Sequence, residues 1–364
     1  MTVKEIAAQV EALAPLHHAE DFDNVGLLVG RPDMEVTGVL VTLDTLEAVV
    51  DEAIARGCNL ILSFHPILFK GLKRLTGKTY VERVVARALE NQIAIYSIHT
   101  ALDNVPGGVN GALCQALGIQ DPSILIPKKQ GIKKLVTYVP KAHTPTLLDA
   151  LFAAGAGSLG HYSQCSFRLE GEGSFLPSVA ANPALGTPGT LQREPEDQLH
   201  LTFTADREAS VLAALFRTHP YEEVAYEVTT LENDYNHLGM GMIGSLEAPL
   251  GPEAFLEHLK QVLGTPCIRH SALPETPVQR VAVLGGSGAF AIEAAKAAGA
   301  DAFVTGDVKY HQFFQAEGKL LIADVGHYET EQFTKRLLCD YLSEKIPNFA
   351  ISLSETKTNP VNYF

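Results

Sequence analysis

The sequence predicts an α/β protein whose core of mainly parallel βαβ units is formed by both chain ends and interrupted by a smaller α+β inserted domain. Three observations carry this reading. Short apolar runs alternate with helix-length segments near the start of the chain and again near its end. Between them the texture changes, and Gly, Ser and Pro accumulate over residues 155–189. A chain of 364 residues also exceeds the usual size of one domain. Boundaries placed in polar loops give a core of residues 1–128 and 237–364, and an insert of residues 129–236.

The elements follow in order. Residues 1–16 read as an amphipathic helix, with Lys4, Glu5 and Glu11 among spaced apolar residues rather than the apolar centre of a secretory leader. Residues 36–43, 59–63 and 93–98 are strand-like, and residues 46–55, 80–91 and 109–117 are helical. The pattern resumes with strands at 280–284, 302–305 and 319–323 and helices at 289–298, 308–316 and 327–343. Residues 349–353 can close the sheet as a last strand. In the insert, strands at 134–139, 199–204 and 224–230 alternate with helices at 144–154 and 208–218, around a hairpin-like region, a unit of the split-βαβ type.

Composition narrows the function. Hydrophobic residues make up 46% and charged residues 19%, as in an ordinary globular protein with a large core. A net charge of −14 argues against a nucleic-acid or anionic-membrane binder, which needs a basic footprint. No run approaches the roughly 18 apolar residues of a membrane span. Five scattered cysteines without a C-x-x-C pair fit reduced thiols, and the expected location is cytoplasmic. Lys70, Lys73, Arg74 and Lys78 form a local basic segment, either a solvated loop or a clamp for a phosphorylated small molecule beside His65.

The chemistry-bearing residues sit just after strand-like runs. His65 follows residues 60–63, His99 and Asp103 follow 93–98, and His327 and Glu331 follow 320–323. Open α/β sheets bind ligands outside the carboxyl ends of their strands, so three strand ends would deliver these donors to one rim. His327 and Glu331 have i, i+4 spacing, which puts both on one helical face. His99 and Asp103 repeat the spacing, but Asn104-Val105-Pro106-Gly107-Gly108 follows and the stretch reads as loop. His65 is held extended by Pro66. Taken singly, each of these is equally a structural histidine or a surface hydrogen bond; together they point to divalent metal. Mixed imidazole and carboxylate donors suit zinc, iron, manganese or nickel without choosing among them. His99 can ligate or act in proton transfer, and His311 is a second proton-shuttle candidate. Gly285-Gly286-Ser287-Gly288 reads as a tight strand-to-helix turn rather than a dinucleotide loop. Asp23, Asp44 and Asp307 read as turn or cap residues that can also face the cleft.

Several unlike motifs occur in an order that resembles a known family. Asp23-Asn24-Val25-Gly26-Leu27-Leu28-Val29-Gly30, Ser63-Phe64-His65-Pro66, His99-Thr100-Ala101-Leu102-Asp103 and Gly326-His327-Tyr328-Glu329-Thr330-Glu331 are similar to those of the GTP cyclohydrolase I type 2 homolog, or Nif-three-like, family. The insert resembles that family's PII/CutA-like domain through Gly155-Ala156-Gly157, Gly171-Glu172-Gly173-Ser174-Phe175 and His219-Pro220-Tyr221-Glu222-Glu223. The resemblance implies one or two metal ions per subunit, held by His65, Asp103, His327 and Glu331, with Glu331 the bridge. It also implies a ring-shaped homohexamer. The family usually has two adjacent histidines where this chain has Phe64-His65, so one of two ion sites is short of a donor. The activity implied is metal-dependent hydrolysis of a purine nucleotide such as GTP. The alternative is a metal-handling, delivery or regulatory protein without turnover.

Overall fold

Thr2 starts the fold by capping: its side chain accepts from the Glu5 amide while the Glu5 carboxylate accepts from the Thr2 amide, and the helix Val3–Leu13 follows. The computed structural model describes every residue except 159 and 161, and the chain divides into two units, residues 1–127 with 236–364, and residues 128–235. The strands of the first stretch are β1 (Gly26–Val29), β2 (Val39–Thr42), β3 (Leu60–Ser63), β4 (Ala94–Ser97) and β5 (Ile119–Lys128). The smaller unit contributes β6 (Ile132–Pro140), β7 (Phe167–Phe175), β8 (Gln192–Thr204) and β9 (Tyr226–Thr230). The chain returns with β10 (Tyr235–Leu250), β11 (Arg269–His270), β12 (Val278–Val283), β13 (Ala302–Thr305), β14 (Leu321–Asp324) and β15 (Ile351–Leu353).

The larger unit holds two sheets, not the single sheet that the strand pattern suggests. One has the order β1-β4-β3-β2-β15, the other β11-β14-β13-β12-β10-β5. Each is built on three parallel neighbours, β2-β3-β4 and β12-β13-β14. The last strand returns to the first sheet, where Ile351–Leu353 pairs in parallel with β2. β1 and β10 run antiparallel to their neighbours β4 and β12.

Parallel strands covered on both faces read as unbroken apolar runs, and the side-chain period of two sorts them. Val39, Val41, Leu60, Leu62 and Tyr96 face one layer with Ile6, Val10, Leu338 and Leu342. Leu40, Ile61 and Ile95 face the other, with Val49, Val50, Val84 and Ala88. The second sheet repeats this, with Val281, Val304 and Leu321 toward Phe255 and Leu259, and Phe303 and Ile322 toward Ile292 and Ala295. Each fully buried Leu or Ile contributes about 1.5–3 kcal/mol.

The smaller unit is an antiparallel sheet of order β7-β8-β6-β9 with the helices Thr144–Ala153 and Glu208–Thr218 on one face. Leu135, Leu199, Leu201 and Phe203 pack against Leu147, Leu151, Val211 and Leu215. Strand order and helix placement are those of a split βαβ fold.

Three local expectations are corrected. Residues 99–103 form a short helix, His99–Asp103, rather than loop. Its early amide at Thr100 donates to the Asp23 carboxylate at 3.0 Å, a cap supplied from far away in sequence. The segment 327–343 splits into His327–Glu331 and Thr334–Lys345. There the Gln332 side-chain amide donates to the Glu329 carbonyl at 3.1 Å, the acceptor that the next helical bond would have used. Residues 308–316 hold a 3₁₀ segment, Tyr310–Ala316, instead of an α-helix. Among the described residues no helix is long and apolar enough to cross a membrane.

Candidate metal centre

The carboxyl ends of the parallel strands are level: Thr42 pairs with Ser63, Ser63 with Ser97, and Thr305 with Asp324. Side chains just beyond these pairs therefore start from one edge of each sheet. Backbone bonds then fix the turns. The His65 amide donates to the Leu43 carbonyl at 2.9 Å, the His99 amide to the Phe64 carbonyl at 3.0 Å, and Ser97 Oγ to that same carbonyl at 2.7 Å.

His65, His327 and Glu331 come together, with one ligand atom of each within 4.8 Å of the others. Glu331 Oε2 lies 3.1 Å from Nε2 of both imidazoles. It is buried and in hydrogen-bond alignment with neither. Two imidazole nitrogens and a carboxylate oxygen converging on one point form a set that can hold a metal ion.

The ring nitrogens facing away from that point are fixed. Asp44 Oδ1 accepts from His65 Nδ1 at 2.8 Å, and Asp307 Oδ2 from His327 Nδ1 at 2.7 Å. A third pair has the same form, Asp23 Oδ1 with His99 Nδ1 at 2.8 Å. Carboxylates bonded to Nδ1 hold the tautomer that presents Nε2 and raise its basicity, the arrangement common behind metal-ligating histidines. The carboxylates are tied in turn: Thr358 Oγ1 donates to Asp44 at 2.6 Å, Ser287 Oγ to Asp307 at 2.5 Å and Thr100 Oγ1 to Asp23 at 2.5 Å.

Proton affinities follow from this crowding. Burial would pull the His65 imidazole down, yet Asp44 and Glu331 lift it to about 10. Burial is likewise overcome at His327, which Glu331 and Asp307 lift to about 9. Glu331 would rise on burial, but the two imidazoles hold it down to about 2. Burial, with the Glu331 charge added, pushes Asp103 well above the usual carboxylate range. Without a cation the two imidazoles are favoured in their charged, protonated form around the Glu331 carboxylate, and burial disfavours a further charge on Asp103. A divalent cation fits by replacing those protons.

Two glycines give the cluster room. Gly286, in the turn after β12, has φ +67°, and a Cβ there would lie 2.4 Å from Glu331 Oε1 and 3.3 Å from the His327 ring. Gly326, with φ +104°, brings the chain into the His327 helix where a Cβ would strike Glu329 Oε2 at 2.1 Å. The segment 285–288 is thus a tight turn whose closeness serves the site. The Gly286 amide donates to Thr330 Oγ1 at 2.9 Å.

The other sequence candidates are placed as follows. Asp103 is half-buried, its enclosed Oδ1 has no hydrogen-bond partner, and it feels the charges of Glu331, His65 and His327. It stands outside the mutual 4.8 Å grouping of the other three. His99 neighbours the cluster, with its ring centroid 5.3 Å from that of His65. Phe64 is fully buried in the core, its ring 4.9 Å from His65 and 5.3 Å from His99, and offers no donor. His311 lies on the exposed 3₁₀ segment, where its ring meets those of Tyr310 and Phe314 rather than the cluster. The roles of Asp23, Asp44 and Asp307 behind the imidazoles went unread in the sequence. The signal available was positional: Asp44 and Asp307 each lie two residues beyond the strand parallel to the one that delivers the histidine.

Comparison with known proteins gives a consistent result. The family model Duf34/NIF3 (NGG1p interacting factor 3) matches residues 1–360. A Bacillus subtilis protein named GTP cyclohydrolase 1 type 2 homolog is 37% identical over 366 residues, covering 99% of this chain and 98% of that protein. The crystal structure of a Bacillus cereus protein related to NIF3 is similar with a TM-score of 0.86 at 37% identity, covering 100% of this chain and 99% of that one. The Staphylococcus aureus protein SA1388 is similar with a TM-score of 0.81 at 28% identity, covering 100% of this chain and 99% of that one.

Proposed function

The chain belongs to the Duf34/NIF3 family, and from that premise we propose that it is a divalent-metal protein acting as a metal-dependent hydrolase on a purine nucleotide. The observation that carries the metal reading is the convergence of His65, His327 and Glu331, with both imidazoles oriented from behind by carboxylates. Asp103, half-buried with an enclosed, unpartnered oxygen, is the added donor for a second ion or a wider coordination shell. A divalent cation held there would polarise a substrate oxygen and acidify water.

The chain's own residues do the rest. His99, oriented by Asp23 beside the cluster, is the proton-transfer group; His311, turned into an exposed aromatic group, is not needed. The rim supports a nucleotide. Phe69 is 46% exposed with its ring 6.3 Å from that of His99, and Phe22 lies 6.4 Å beyond Phe69. That pair offers a stacking surface for a base. Lys70, Lys73 and Arg74 are exposed on the same loop and suit phosphates. The relatives' name, GTP cyclohydrolase 1 type 2 homolog, agrees with a purine substrate. Self-assembly into a homohexamer is part of the proposal, supported by exposed Tyr310, Phe314 and Phe290.

Metal-loaded protein incubated with GTP should form product that metal-stripped protein does not, and His99→Ala should lower the rate by about 10²–10⁴. Equal product with and without metal would end the hydrolase reading. The alternative, metal delivery or regulation without turnover, is favoured by the exposure of His327, whose side chain is 38% accessible and leaves one flank of the cluster open to exchange. Rapid metal exchange without saturable GTP binding would select it.

A further inference from the structure

The smaller unit contains a second concave site. Its sheet has two faces, and the period of β8 separates them. Leu199, Leu201 and Phe203 point into the helix-covered core, whereas Glu196 and Gln198 line a cavity of about 680 Å³ on the other side. Tyr138 of β6 and Phe175 of β7 join them, and Leu176, Pro177, Ala181 and residues 183–185 also line it. Polar residues on an outer sheet face are ordinarily bathed in solvent. Here Gln198 is half-buried and Glu196 is nine-tenths buried.

The lining is chemically one-sided. It includes five glutamates and neither lysine nor arginine. Two of these are neutralised from outside: Glu170 pairs with Lys141 at 2.7 Å and Glu172 with Arg193 at 2.7 Å. Glu196, Glu222 and Glu223 have no ion-pair partner among the described residues. Tyr221 donates its hydroxyl to Glu196 Oε1 at 2.6 Å, which orients the carboxylate. The second oxygen, Oε2, reaches over Gly173, where a Cβ would sit 2.0 Å away. The glycine is what lets that oxygen lie along the sheet. The Phe175 and Tyr221 rings, 5.6 Å apart, form an aromatic wall next to it.

A buried, oriented carboxylate beside aromatic faces, in a cavity with unneutralised acids and no base, selects against phosphates and carboxylates. It suits a cation, since the carboxylate accepts its hydrogen bonds and the rings attract its charge. We propose that the smaller unit is a binding site for an organic cation, an amine or guanidine carried on an apolar body. This goes beyond the metal-dependent reaction and does not rest on it.

The test is calorimetric titration of the full chain with three ligands of matched shape: phenethylamine, 2-phenylethanol and phenylacetate. Phenethylamine should bind saturably, the alcohol more weakly and the acid not at all. Glu196→Gln should weaken the amine about ten- to hundredfold, the scale of one charge-assisted hydrogen bond. Tyr221→Phe, which keeps the ring but frees the carboxylate, should weaken it less. Binding should survive removal of metal by chelator. Absence of saturable amine binding, equal binding of phenylacetate, or loss on chelation would each overturn the proposal. The wild-type ligand series decides even if Glu196→Gln fails to fold.

Discussion

The candidate metal centre has two arms of the same design on two different sheets. In the first, Asp44 follows β2 and His65 follows its parallel neighbour β3; in the second, Asp307 follows β13 and His327 follows β14. Both arms end on one oxygen of Glu331. They differ in how closed they are. The His65 and Asp44 side chains are 22% and 30% accessible, against 38% and 52% for His327 and Asp307. Asp44 is gripped by Thr358 from the returning C-terminal segment, while Asp307, at φ +55°, is gripped by Ser287 from the glycine turn. The first arm is a fixed wall and the second an open flank. One design, used twice, thus gives an enclosed side and an accessible side.

Removing the shared element should collapse the comparison. Glu331→Gln takes the anionic oxygen from both arms, and protein purified without chelator should then carry essentially no metal by elemental analysis. Retention of wild-type metal content would show that the arms do not meet on Glu331. A finer cut separates them. Asp44→Asn and Asp307→Asn should each weaken metal affinity by about 10–100-fold. The loss should be greater for Asp44, because solvent around Asp307 already screens its charge. Competition with a chromogenic chelator gives both numbers, and a larger effect at Asp307 would invert the assignment of wall and flank.

The smallest expected effect is on pH dependence. In metal-free protein His65 and His327 are lifted to about 10 and about 9, above the unfolded value of about 6.5. Each therefore stabilises the fold fully below about pH 6.5, and that stability is lost as pH rises toward 9 and 10. The Tm of metal-free protein should fall across this window. Metal-loaded protein, whose imidazoles are already neutral, should stay flat. Metal affinity should climb over the same range as fewer protons need displacing. A Tm of metal-free protein that stays flat through this window would show that the imidazoles are not held charged.

How much of this was legible varies with the range of the forces involved. His65, His327 and Glu331 could be read because each lies just past an apolar strand, and because i, i+4 spacing is a local property. The βαβ order at both ends was equally local. The helix His99–Asp103 was hidden because its cap, Asp23, comes from another part of the chain, and Pro106-Gly107-Gly108 downstream reads as loop. Asp44 and Asp307 looked like ordinary turn residues, since their imidazole partners are assigned only once parallel pairing is known. The division into two sheets was also out of reach. Strand patterns do not say which edge a strand joins, and β15 crosses back to β2. The long strand β10 was obscured by Gly239, Gly241 and Gly244, which lower strand propensity while letting neighbouring chain come close.

His65 is synthesised early and Glu331 late, with the whole smaller unit between them in sequence. In translation β2, β3 and β4, with Asp44 and His65, are all made long before the shared oxygen of Glu331. If a divalent cation is held there, capture by all three donors waits until Glu331 has been made, and a ribosome-stalled or proteolysed chain ending before Glu331 would lack the oxygen that both imidazoles share. Metal held by all three donors would then report that the chain had passed Glu331 and that the segments carrying His65 and His327 had met.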